Sequence, residues 1–174
     1  MKQILPVLII SFFAGNAAIA QNQFQVLPDK NGGKIFKGII SREVLQSDTS
    51  FTWYAENLKG YTPDPVALAG LMKNADSLEL LTFMGTWCED SHFIIPKLYT
   101  LTDAAGFSRE RITLIGVDRE KKTLSHLSEA LNIKNVPTII VLKNGKEIGR
   151  VIEFGKYGLF DKELGEILST IERH

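Results

Sequence analysis

The chain has 174 residues, 44% hydrophobic and 23% charged, with 20 basic and 20 acidic side chains and a formal net charge of zero. That length suits one domain with a proper core and is short for two. The balanced charge gives no basic footprint for nucleic acid or for an anionic membrane surface, so neither is expected as a partner.

The first twenty residues stand apart. Met1-Lys2 supplies one positive side chain, and Ile4 to Ala14 is apolar apart from Pro6 and Ser11. Small residues follow and end in Ala18-Ile19-Ala20 before Gln21. This layout predicts a secretory signal peptide over residues 1–20, and hence a periplasmic or secreted protein. The apolar run is shorter than the roughly 20 residues that span a bilayer, so no stable membrane anchor is expected after cleavage.

Residues 21–34 are mostly polar and close in Asn31-Gly32-Gly33-Lys34, the composition of a flexible lead-in ended by a turn. From Ile35 to about Gly60 the pattern is mixed, with Phe51, Trp53 and Tyr54 close together. It predicts a strand or short helices packed on the main body. Residues 21–60 are therefore expected as an N-terminal extension, followed by the main domain over 61–174. Asp64 is placed to cap a helix and Pro65 to take its first position, with Val66, Leu68, Leu71 and Met72 at helical spacing to about Asn74.

Leu78 to Met84 is a mostly apolar run of strand length, broken by Gly85-Thr86, and Trp87-Cys88 opens a helical stretch to about Ala105. Ile112 to Val117 reads as a second buried strand closed by Asp118, and Leu124 to Leu131 as a short helix. Thr138 to Leu142 is a third strand, turned at Asn144-Gly145 into Glu147–Ile152. A last amphipathic helix starts at Asp161 or Lys162 and carries Leu164, Ile167, Leu168 and Ile171. The order β-α-β-α, then a hairpin, then α, predicts an α/β fold with a central mixed sheet flanked by helices. Its ligand crevice belongs at the carboxyl ends of the parallel strands, where Cys88 lies.

Cys88 is the single cysteine of the chain. It cannot form an internal disulfide, so in an oxidising compartment it is either buried and inert or kept for its reactivity. At a helix start it faces unpaired N–H groups and the positive end of the helix dipole, which favour a thiolate. Ser91, three residues on, lies on the same face and can donate its hydroxyl to the sulfur. His92 adds positive charge if protonated, whereas the carboxylates of Glu89 and Asp90 oppose ionisation of the thiol. The sequence shows no metal-binding motif and no phosphate loop, so no metal and no cofactor are expected.

Three separated features carry a family resemblance. Trp87-Cys88 followed by two residues and Ser91 looks like a Trp-Cys-x-x-Cys site with the second cysteine replaced. Pro96 matches the proline that kinks the helix after that site, and Val136-Pro137-Thr138 matches a loop with a cis proline beside the active cysteine. The stretch from Leu80 to about Leu168 thus resembles the thioredoxin superfamily, and the resemblance implies a thioredoxin-like fold. Gly85-Thr86-Trp87-Cys88-x-Asp90-Ser91, with Tyr61-x-Pro63-Asp64 upstream, is similar to a bacterial subgroup with a Cys-x-Asp-Ser site.

The resemblance implies a nucleophile at Cys88, a hydrogen-bonding partner at Ser91, and substrate contacts from Trp87, Val136 and Pro137. The chain departs from the family in lacking the resolving cysteine. Thr82 stands where the family has a buried acid, and Leu114 where that acid has a lysine partner. Two functions fit. One is monothiol thiol–disulfide exchange with protein or small-molecule thiols and disulfides, through a mixed disulfide that an external thiol resolves. The other is a non-redox module that holds peptides, chaperone-like, along the Val136-Pro137 loop.

Overall fold

The computed structural model describes residues 23–171, and the expected signal peptide over residues 1–20 lies outside them. The strands are β1 (Phe24–Pro28), β2 (Lys34–Ile40), β3 (Leu78–Met84), β4 (Ile112–Gly116), β5 (Thr138–Lys143) and β6 (Lys146–Ile152). The helices are α1 (Arg42–Ser47), α2 (Trp53–Glu56), α3 (Pro65–Asn74), α4 (Glu89–Ala104), α5 (Leu127–Ala130) and α6 (Phe160–Thr170). All six strands join one sheet in the order β1-β2-β4-β3-β5-β6. Only β3 and β4 run parallel; the other neighbours are antiparallel, so the sheet is mixed.

Alternation along β3 divides the core between the two faces of the sheet. Leu78 and Leu80 point into a layer with Leu71 of α3, Ile94 and Leu98 of α4, and Leu164 and Leu168 of α6. Met84 continues that face toward Phe36 and Ile40 of β2 and the short helices α1 and α2. Phe83 points the other way, among Ile115, Ile140, Ile133 and Val136. Each fully buried side chain of this size stabilises the fold by about 1.5–3 kcal/mol relative to exposure.

Local chemistry sets the element ends. Asp64 Oδ1 accepts from the N–H groups of Val66 and Ala67, both at 2.9 Å, with Pro65 in the first turn of α3. Asn144 and Gly145 both have positive φ, the geometry of a tight two-residue hairpin between β5 and β6. At the far side of α3, Tyr61 donates to the buried Asp161 carboxylate at 2.7 Å and ties the preceding turn to α6.

Two expectations need correction. Residues 21–34 read as a flexible lead-in, yet 24–28 form an edge strand paired to β2 through a turn closed by Asp29 N–H to Gly33 O at 2.8 Å. The strand has one neighbour and is mostly exposed, so its composition is as polar as a loop. The helix expected from Leu124 to Leu131 is broken: Ser125 and His126 have positive φ, which no right-handed helix accommodates. A 3-10 turn and the single-turn α5 replace it.

Candidate functional site

The parallel strands β3 and β4 end side by side at Met84 and Gly116, and the site is built on the loops that leave them. After β3 the chain turns through Gly85, Thr86 and Trp87, and Cys88 N–H bonds back to Gly85 O at 3.0 Å. Cys88 is the N-cap residue of α4, with extended backbone angles, and its own carbonyl accepts from His92 N–H. The half-buried sulfur therefore sits at the positive end of a sixteen-residue helix. Pro96, inside that helix, is buried.

The sulfur donates to the carbonyl of Val136 at 3.1 Å. Only the protonated sulfur can make this bond. The Val136-Pro137 peptide is cis, both residues are buried, and Val136 packs in the same apolar cluster as Cys88. Glu153 N–H caps the Pro137 carbonyl at 2.7 Å. No described residue accepts from the Val136 N–H.

Ser91 does not partner the sulfur as expected from its position on the helix. Its hydroxyl is fully buried and accepts from Gly85 N–H at 3.2 Å, locking the loop before Cys88. Among the described residues no hydrogen bond joins Ser91 to Cys88; the hydroxyl's own proton stays free to donate when the sulfur ionises.

His92 is not disposed to take up the proton that would make it a positive neighbour of the sulfur. Burial pushes its pKa down, outweighing the Thr86 carbonyl and Glu89, which push it up. The ring stacks on Trp53, centroids 4.2 Å apart and planes 11° off parallel. Its Nε2 lies 2.8 Å from the Thr86 carbonyl, so the proton is on that nitrogen. His92 is thus a neutral strut between α4 and α2. Glu89 is exposed and Asp90 half-buried, both in the first turn of α4, where carboxylates favour the helix dipole.

Trp87 is half-buried, and its Nε1 donates to the Val117 carbonyl at 3.0 Å. Gly85 packs flat against the indole: a Cβ there would fall 2.7 Å from Trp87 Cε2. The guanidinium of Arg119 lies 5.1 Å from the centre of the indole ring. A thiolate at Cys88 would favour the Arg119 cation. Asp29 holds it from the β1–β2 turn, with Nε to Oδ1 at 2.6 Å and Nη2 to Oδ2 at 2.8 Å.

Arg119 and Asp29 were not singled out from the sequence. The place of Arg119, just past a parallel strand, was a usable signal. Asp29 offered none, because nothing local marks an ion pair across the fold. Thr86 was also missed: its hydroxyl donates to Lys34 O at 2.8 Å and accepts from Phe36 N–H at 3.2 Å, stitching the loop to β2.

Thr82 and Leu114 pair across β3 and β4, and the buried Thr82 hydroxyl has no partner among the described residues. No titratable group stands at that place behind the cysteine. Among the described residues no group of three or more His, Cys, Asp or Glu stands ready to hold a metal. No helix among them is long and apolar enough to cross a membrane.

A buried sulfur-facing loop, a helix-capping cysteine after Trp, and a mixed sheet with these connections define a thioredoxin-like protein. The thioredoxin family model matches residues 68–161, and the chain belongs to that family. It is 31% identical over 96 residues to a thioredoxin of Echinococcus granulosus, covering 55% of this chain and 83% of the relative. It is 31% identical over 100 residues to a thioredoxin of Chlamydia pneumoniae, covering 58% and 85%. Among solved structures, Fasciola hepatica thioredoxin overlays 60% of this chain and 86% of its own at 24% identity and a TM-score of 0.39. Family membership supports a thiol–disulfide redox function in general.

Proposed function

We propose that the protein is an exported monothiol exchange protein of the thioredoxin family, acting through Cys88. The observation that carries this reading is the place of the sulfur: half-exposed, at the N-terminus of α4, and against the Val136 carbonyl. The Cys88 thiolate attacks one sulfur of a disulfide R–S–S–R′, forming Cys88–S–S–R and releasing R′–S⁻. An external thiolate R″–S⁻ then attacks the R sulfur, giving R–S–S–R″ and restoring the Cys88 thiolate. The number of disulfides is unchanged, which suits isomerisation or removal of small-thiol adducts rather than net oxidation. Ser91 cannot perform the second attack. Its buried hydroxyl accepts from Gly85 N–H, and in this reading its own proton is donated in a hydrogen bond to the thiolate when Cys88 ionises.

Export rests on the layout of residues 1–20, with the working chain beginning near Gln21. Replacing Cys88 with Ser abolishes exchange with a disulfide-bonded peptide in this account. Exchange surviving in C88S contradicts it.

The second reading is a peptide-holding module without turnover. The Val136 N–H favours it, since no described residue accepts from it and it lies where an extended backbone can pair. Peptide affinity that C88S leaves intact, with no mixed disulfide in the wild type, selects that reading.

A further inference from the structure

We propose that Arg119, held in place by Asp29, selects disulfide substrates that carry a carboxylate close to the reacting sulfur. This deepens the exchange reading and rests on it. Two of the three guanidinium nitrogens of Arg119 are taken. Asp29 engages Nε and Nη2 in a two-pronged pair. Nη1 has no hydrogen-bond partner among the described residues, and the side chain is 32% exposed. A guanidinium binds a carboxylate best through two parallel N–H donors, and Asp29 already uses one such edge. The remaining N–H groups are fixed in direction by the planar fork, so they present charge at a set place rather than on a mobile arm.

That place is over the indole of the residue that precedes Cys88. The indole of Trp87, one residue before Cys88, is pinned by Val117 and Gly85, and Arg119 lies over it. Lys121 adds a second cation, 5.7 Å from the same ring centre.

The other charges around the cysteine come from several elements. Glu89 and Asp90 stand on the first turn of α4, while Asp118 after β4 is paired with Lys37 of β2 at 2.7 Å. Lys134 precedes the Val136-Pro137 loop, Glu153 follows β6, and His92 is neutral. Their sum is negative, so any preference for an anion arises from the position of Arg119 and not from a generally basic surface.

The experiment compares alkylation of Cys88 by iodoacetate, which carries a carboxylate next to the reacting carbon, and by neutral iodoacetamide. The ratio of the two rates reads the charge presented at the sulfur and cancels changes in thiol ionisation or general access. R119Q is expected to lower the ratio about threefold, the effect of one charge over several ångströms in a water-like medium. R119K is expected to retain most of the ratio. Asp29→Asn distinguishes positioning from simple charge. If Asp29 holds Arg119 in place, D29N lowers the ratio as R119Q does. If Asp29 acts only as a nearby negative charge, D29N raises it.

Salt gives a second test: raising ionic strength is expected to shrink the difference in this ratio between the wild type and R119Q. An unchanged ratio in folded R119Q, a raised ratio in D29N, or a difference between wild type and R119Q that high salt leaves intact each overturns the inference. Failure of the exchange reading itself is seen separately, as absence of a Cys88 mixed disulfide with any disulfide tested.

Discussion

Asp29 and Arg119 are 90 positions apart and meet in a two-pronged ion pair, with N–O distances of 2.6 and 2.8 Å. The pair joins the β1–β2 turn to the loop that follows β4, over the indole of Trp87. Two more pairs fasten the same region: Lys34 with Asp48, and Lys37 with Asp118, both at 2.7 Å. The N-terminal hairpin is thereby part of the wall of the site.

These carboxylates make the hairpin sensitive to acid. The Arg119 hydrogen bonds hold the Asp29 pKa below the usual carboxylate range, and Lys34 with Ser50 lowers that of Asp48 to about 2. Burial pushes Asp118 up, but Lys37 and the N–H groups of Lys122 and Glu120 bring it below the usual value. Each group binds its proton less readily folded than unfolded, so its stabilising contribution is full above about pH 4 and is lost as pH falls toward 2. Urea unfolding at pH 7 and pH 3 should show lower stability at pH 3, with a smaller drop in D48N than in the wild type.

A glycine pair seats the hairpin on the sheet. Gly38 and Gly116 are opposite each other in the β2–β4 ladder, and a Cβ on Gly116 would lie 2.1 Å from the Phe36 carbonyl oxygen. Replacing Gly116 by Val should force β2 away and destabilise the protein by about 2 kcal/mol or more, read as a lowered Tm. A Tm within a degree of the wild type contradicts this account of the contact.

His92 gives a pH dependence in a different window. Its folded pKa lies below the ordinary 6.5 because burial disfavours the cation. The contribution is present above that ordinary value and is lost as pH falls through the folded pKa. Thermal melts from pH 8 to pH 5 should show a decline that flattens in H92Q.

Much of the fold was legible because it is local. The Asp64-Pro65 cap, the Asn144-Gly145 turn and the apolar runs of β3, β4 and β5 each carry their own instruction in a few residues. The edge strand β1 was not legible: a strand with one neighbour and a wet face has no apolar alternation to read. Ser91 shows the limit at the site. Helical spacing placed it on the correct face, but which of two nearby partners its hydroxyl takes depends on the path of the Gly85 loop. Arg119 depends on a partner far away in the chain, which no short window contains.

The missing second thiol is open to direct repair. With Ser91→Cys, the attack on the mixed disulfide becomes internal, so trapped Cys88 adducts should become shorter-lived. A disulfide between Cys88 and the introduced thiol should accumulate in their place. Mass spectrometry of the acid-quenched variant checks this. Adducts as long-lived as those of the wild type contradict the assigned role of Ser91.

The most direct measurement is mass spectrometry of the reduced protein mixed with excess disulfide-bonded peptide, with and without added small thiol. The account expects one peptide adduct on Cys88, formed faster than on the unfolded protein, then released by the thiol through repeated cycles and absent in C88S. A Cys88 that stays reduced, or reacts no faster than when unfolded, contradicts thiol–disulfide exchange as the function of this site.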